Sequence, residues 1–416
     1  MATKTLKKVF SWLDSSKRAS FFYASLCVFL FTIPFEVRFS NIGLILLTVS
    51  FLLCWDWASA KKMTSTILWR LLFLNWVWLL IGAAFVEKGL LLEQLDNIGK
   101  FTLMVVIPIL ISPAFRIPKK QHRFLFLIFA LAVTFGMILN FSIALFGVHP
   151  SNHNPFEYAK FVMGMGDVHP AYISMFVVFS FFVALEFLVT SKNAGQKLFY
   201  TLLSVFLLCS VFVLYARMPM IALVLMLIIY LLQKTATKKS LRLAVSITGI
   251  ALLSFLLFLL VLPDNQKVMI QERLLDNIVL NLSVRIEIWQ CAWEVFKANS
   301  WLFGVGIGKV QPLLNECYLH RFLTRPFFLE YNSHNDFLMI LLRGGVIGFI
   351  SWTALLVHSI VSGVKEKNVL MIVFVLLFVI CGLTEVYLNR IWGNLYFGAI
   401  FALIITAIKK NPKSID

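Results

Sequence analysis

The chain has 416 residues, of which 60% are apolar and only 14% charged. A soluble globular domain carries about 25% charged residues, so this composition excludes one and points to a protein that lives in lipid. The formal net charge of +17 raises nucleic acid or an anionic surface as a partner, and the placement of the charges decides between them.

A helix needs about 20 mostly apolar residues to cross the hydrocarbon layer. Twelve stretches are candidates: residues 20–36, 40–56, 66–86, 96–112, 123–146, 169–190, 198–214, 218–233, 243–262, 336–360, 368–386 and 392–408. The 41 Phe and 11 Trp suit lipid-facing and interfacial positions. The first apolar stretch has no small-residue cleavage site and is followed by further spans, so no cleavable signal peptide is expected. No internal repeat or low-complexity linker divides the chain. The expected fold is an all-α polytopic membrane protein, residues 1–416 forming one domain with 12 transmembrane helices. One long external loop, residues 263–335, joins spans nine and ten.

Lysine and arginine set the orientation. With the N-terminus inside, the cytoplasmic segments hold Lys4, Lys7, Lys8, Lys17 and Arg18, then Lys61 and Lys62, then Arg116, Lys119, Lys120 and Arg123. Lys192, Lys197, Lys234, Lys238, Lys239, Arg242, Lys365, Lys367, Lys409, Lys410 and Lys413 follow, making 22 of the 37 basic residues. The long loop carries seven basic and seven acidic residues and is electrically balanced. The positive surplus is therefore a topology signal, and no nucleic-acid partner is expected. Both termini fall inside. The long loop, the stretch from His149 to His169 and the turn at Arg217 fall outside. Cys27, Cys54, Cys209 and Cys381 lie in apolar runs and read as small hydrophobes. Cys291 and Cys317 share the external loop, which leaves a disulfide open there.

The candidate chemical residues follow in chain order. His169-Pro170 precedes span six at the outer surface. Arg217, in Leu214-Tyr215-Ala216-Arg217-Met218-Pro219, interrupts continuous apolar sequence. It is either a functional residue or a turn arginine meeting lipid headgroups. In Arg285-Ile286-Glu287-Ile288-Trp289-Gln290-Cys291-Ala292, residues 285, 289, 292 and 296 share one helical face, so the guanidinium begins an apolar stripe. Such an arginine suits a phosphate; a salt bridge to one of the loop's own acids, or snorkelling, is the alternative. Gly304-Val305-Gly306-Ile307-Gly308-Lys309 lacks phosphate-loop spacing and reads as a flexible turn ending that helix. Arg321 and Arg325 are either contacts for a phosphorylated substrate or a solvated charge pair.

Ser333-x-x-Asp336 before an apolar run is a capping-box pattern with Asp in place of Glu. It predicts His334 at the first helical position of span ten, where the helix dipole favours the neutral imidazole that a general base requires. The alternative is an interfacial histidine bonded to loop backbone. No D-x-D and no histidine pair at ligand spacing occurs, so neither a metal nor a cofactor is expected.

Ala216-Arg217, Arg285-x-x-x-Trp289, Leu302-Phe303-Gly304-Val305-Gly306-Ile307-Gly308, Ser333-His334-Asn335-Asp336-Phe337-Leu338 and Gly344-Gly345-Val346-Ile347-Gly348 occur in this order and on these loops. The set resembles the O-antigen ligase/polymerase superfamily, and Arg343 departs from it, standing where related sequences often carry an acidic or neutral residue. The resemblance implies a multi-pass protein of the bacterial inner membrane with a periplasmic active site. It implies a metal-independent, inverting glycosyltransferase moving an O-antigen glycan from undecaprenyl diphosphate to a lipid A–core sugar (a ligase) or to another lipid-linked repeat (a polymerase). His334 would be the base, with Arg217 and Arg285 on the diphosphate. Trp289, Arg321, Arg325 and His169 would contact substrate. A transporter of similar span number is the alternative of another class. The lack of a repeat and the outer-boundary position of the polar clusters weigh against it, with Arg343 and Lys100 as exceptions.

Overall fold

The computed structural model describes residues 15–54, 56–84, 91–146, 163–166, 168–214, 216–234 and 277–408. The ninth predicted span, loop residues 263–276, most of the stretch from His149 to His169 and the basic residues at the two extreme termini lie outside the described residues.

No strand occurs among the described residues. The helices are α1 (Ser15–Thr32), α2 (Val37–Cys54), α3 (Trp57–Ser65), α4 (Ile67–Ala84), α5 (Leu91–Ile111), α6 (Lys119–Phe146), α7 (Pro170–Thr190), α8 (Ala194–Leu214) and α9 (Arg217–Lys234). They continue with α10 (Asn277–Ala298), α11 (Val310–His320), α12 (Thr324–Phe328), α13 (Asp336–Lys365), α14 (Val369–Gly382) and α15 (Ile391–Ala407). Eleven of the twelve predicted spans coincide with one of these helices. Among the described residues six helices are long and apolar enough to cross a membrane, or seven if the bent pair α3–α4 is one span. Residues 57–65, between the second and third predicted spans, are helical and meet α4 at 77°. Asp56 caps α3 through the Ser59 N–H at 3.2 Å and also binds Arg116 at 2.7 Å.

Helices that are apolar all round should be buried, and those with one apolar face to the protein should turn the other to lipid. α7 and α15 are of the first kind, with nearly every residue buried. Their rings interleave with those of α6 and α14: Phe129, Phe176, Phe179, Phe374 and Phe378 surround Tyr396. α2 is of the second kind and leaves Phe39, Ile42, Ile45 and Leu52 exposed.

α13 is broken. Gly345 has φ 60°, ψ −161°, which no continuous helix allows. A break inside an apolar span frees backbone groups that must find partners within the protein. The segment after α10 supplies them. Val305 N–H donates to Leu342 O (2.7 Å), while Val346 N–H and Ile347 N–H donate to Trp301 O (2.9 Å) and Leu302 O (3.3 Å). The Trp78 indole from α4 donates to Gly344 O at 2.7 Å. The glycine run 304–308 therefore begins as a backbone-paired insert in a broken span, a correction to the flexible turn expected from sequence. Gly304 also has positive φ, and a Cβ there would strike the Leu342 carbonyl. On Gly345 it would strike the Leu302 carbonyl. Gly345→Ala and Gly304→Ala are each expected to cost about 2 kcal/mol or more, read as a lower midpoint of thermal unfolding in detergent.

Candidate active site

His334 lies between α12 and α13, and the capping box predicted around it does not form. Asn335 is the cap, its Oδ1 accepting from Phe337 N–H (2.9 Å) and Leu338 N–H (3.0 Å). Asp336 is the first helical residue and is buried. Its carboxylate turns inward to accept from Tyr387 N–H (3.1 Å) and Leu388 N–H (3.5 Å), so it cannot close the box. Ser333 Oγ donates instead to Asn335 O at 2.9 Å. His334 stands just outside the helix with left-handed backbone, φ 43°, and donates its N–H to Asn332 Oδ1 at 2.8 Å. The helix-dipole argument thus loses its geometry, and a neighbouring side chain takes its place.

That neighbour is Glu385. His334 Nδ1 faces Glu385 Oε2 at 3.5 Å, and the Tyr331 ring meets the imidazole edge-on at 5.2 Å between centroids. The two side chains keep 23% and 17% of their surface exposed, enough for a substrate to reach them. Burial by itself would push the Glu385 carboxyl up. The His334 imidazole beside it, the charge of His169 and the Val386 N–H at 3.1 Å outweigh that and hold it below the usual carboxylate range. Sequence reasoning missed Glu385 because it falls in the stretch 368–386, read as a span. The signal was available, since a lone carboxylate in an apolar run is a functional candidate by default. The span itself ends early, at Gly382.

His169 belongs to the same neighbourhood. It caps α7, its Nδ1 accepting from Ala171 N–H at 3.3 Å. Burial pushes its imidazole down, with Arg390 and His334 adding to that and Glu385 opposing it. The segment 383–390, which carries Glu385, is gripped from several sides. Tyr172 Oη donates to Val386 O (3.0 Å) and Tyr387 O (3.2 Å), and Asn394 Nδ2 donates to Leu388 O (2.9 Å). Arg343 is buried in α13, lies over the Phe101 ring at 5.2 Å and donates through Nη2 to Asn389 Oδ1. Lys100 pairs with Asp96 at 2.5 Å.

α10 has the predicted face. Ala292 and Phe296 are buried and Arg285 and Trp289 half-buried, whereas Ile286, Gln290 and Trp293 on the opposite side are exposed. Ile288, Cys291, Ala292 and Val295 pack with Leu314 and Tyr318 of α11, Met339 and Leu342 of α13, and Val386. The salt bridge weighed for Arg285 goes to another residue: Arg321 binds Glu287 (2.8 Å), Gln290 (2.7 Å) and Glu294 (2.5 Å). Arg321 is thus a brace between α10 and α11. Arg325 is exposed. Cys291 and Cys317 form a disulfide joining the same two helices. Arg217 is half-buried at the first position of α9, which packs on α14 and α7. The elements bearing Arg217 and Arg285 therefore flank the helices that lead to and from the His334–Glu385 pair. Among the described residues no group of three His, Cys, Asp or Glu side chains is arranged to hold a metal ion.

A carboxyl held below its ordinary range contributes stability that is present above the unfolded-state value and lost as pH falls through the folded-state value. Glu385→Gln is therefore expected to lower the unfolding midpoint near neutral pH, by on the order of 1 kcal/mol. The gap from the parent should close on acidification below the carboxylate range, in thermal scans across pH.

A comparison with curated proteins finds no match. A family model described as O-antigen ligase matches residues 202–353, the stretch from α8 into α13. It takes in Arg217, Arg285, Trp289 and His334, and over that stretch it supports a likeness to the O-antigen ligase-like superfamily.

Proposed function

We propose that this multi-pass membrane protein is an O-antigen ligase, an inverting glycosyltransferase that needs no metal. It moves a glycan from undecaprenyl diphosphate to a lipid A–core sugar hydroxyl on the periplasmic side of the inner membrane. Members of the matched family are glycosyltransferase-like enzymes of lipopolysaccharide synthesis. The observation that carries the reading is the His334–Glu385 pair at 3.5 Å, partly exposed and inside or beside the matched stretch. With Nδ1 turned to the carboxylate, Nε2 is left for a substrate hydroxyl, the arrangement a general base requires.

In the proposed reaction His334 Nε2 takes the acceptor proton as that oxygen attacks the anomeric carbon. The bond to the diphosphate breaks on the opposite face and its electron pair leaves with the phosphate. Arg217 and Arg285 stabilise the charge that develops there, and Glu385 steadies the imidazolium. Trp289 lies one helical turn beyond Arg285, and Arg325 and His169 are further substrate contacts. The apolar spans hold the polyprenyl tail and so orient the reacting carbon. A disulfide on α10 suits an oxidising compartment and agrees with the external placement read from lysine and arginine.

Deleting the gene and running lipopolysaccharide on a gel tests the proposal. Loss of all long chains while carrier-linked polymer still accumulates is the expected result. Core bearing a single repeat would make the protein a polymerase, and an unchanged ladder with a solute-uptake defect would make it a transporter. In the complemented strain His334→Ala should abolish ligation, about 10²–10⁴-fold in rate. Arg285→Lys keeps the charge but loses the fork, and at least a tenfold fall is expected, roughly the worth of one charge-assisted bond; full activity would rule out bidentate diphosphate binding.

A further inference from the structure

Arg343 is used by no step above, yet it is 6% exposed inside an apolar bundle, where an arginine is costly. Its environment says what it is for. On α13 it lies seven residues after Asp336, two turns along, so the two side chains leave the same face. Both reach the segment 383–390. Asp336 accepts from the N–H groups of Tyr387 and Leu388, and Arg343 donates to the side chain of Asn389. Tyr172 and Asn394 also hold this segment, but they do so from α7 and α15. His334 stands directly ahead of α13, so grips from that helix are the ones that set the segment's distance from His334. Phe101 beneath the guanidinium, at 5.2 Å, keeps it from swinging away from Asn389.

We propose that Arg343, through Asn389, is a positioning residue that holds Glu385 in register with His334. The start of α13 holds the segment at three points: Asn335 Nδ2 donates to Leu383 O at 3.1 Å, Asp336 fixes the backbone at 387–388, and Arg343 fixes the end at Asn389. Releasing the Asn389 end lets the segment twist between the other two grips, and the Glu385 carboxylate, which lies between them, turns off the imidazole. This rests on His334 and Glu385 acting as proposed above.

The test is a double-mutant cycle on the full-length protein in detergent–lipid micelles. It uses undecaprenyl-diphosphate-linked O-antigen as donor and lipid A–core from the deletion strain as acceptor. Arg343→Met should lower kcat about tenfold with donor KM unchanged, and Arg343→Lys should recover part of the loss. Added to Glu385→Gln, Arg343→Met should cause no further fall, because both act on one pair. Losses that multiply, or a rise in donor KM without a fall in kcat, would overturn the inference. If Arg343→Met does not fold, Asn389→Leu carries the same cycle, with Asn389→Asp, which keeps an acceptor, expected near the parent. Full activity in His334→Ala would instead sink the reading of the site. Activity lost in His334→Ala and in Glu385→Gln, with multiplying losses at Arg343, would sink this inference alone.

Discussion

Backbone N–H and C=O groups within an apolar layer must be bonded inside the protein, and this chain leaves regular helix in two places that must meet that demand. One is the break at Gly345, filled by backbone from residues 301–305. The other is the segment 383–390, whose N–H groups at Tyr387 and Leu388 end on the buried Asp336 carboxylate. Each solution ties sequence-distant pieces together. The first docks the end of α10 onto α13; the second docks the α14–α15 connection onto the start of α13. The candidate site lies at the second of these, where the 383–390 segment docks onto the start of α13.

Charge is arranged with similar economy. Arg321 gathers Glu287 and Glu294, and the disulfide at Cys291 fastens α10 to α11 beside it. Glu287 and Glu294, the two acids of α10, are therefore engaged by Arg321, and Arg285 stands half-buried at the start of that helix's apolar face. At the other pole Glu385 faces His334 at 3.5 Å, and the charge of His169, at the cap of α7, also favours its ionised form.

Much of this was legible in the chain itself. Length and apolarity of each run set the helices, because a span is a local property of about 20 residues. The face of α10 followed from its spacing, and the order of short motifs around Arg217, Arg285 and His334 agrees with the family match. Local pattern failed where a residue had a better distant partner. Ser333-x-x-Asp336 looks like a capping box, but Asp336 finds two backbone N–H groups fifty residues on, and Asn335 takes over the cap. The glycines after α10 look like a flexible turn, but they pair with a broken span.

Glu385, Asn389 and Arg343 were the residues hardest to weigh from sequence: the first two sat in or beside an apolar run, and the third was a departure without a role. What the sequence determined by itself was the class of protein, its helices and the buried face of α10, since these depend on composition and on spacing along one helix. What only the tertiary structure decided was which carboxylate meets His334 and which arginine braces α10 against α11. Those choices are made by contacts between elements far apart in the chain, and a desolvated polar group goes to whichever partner the packing brings within reach.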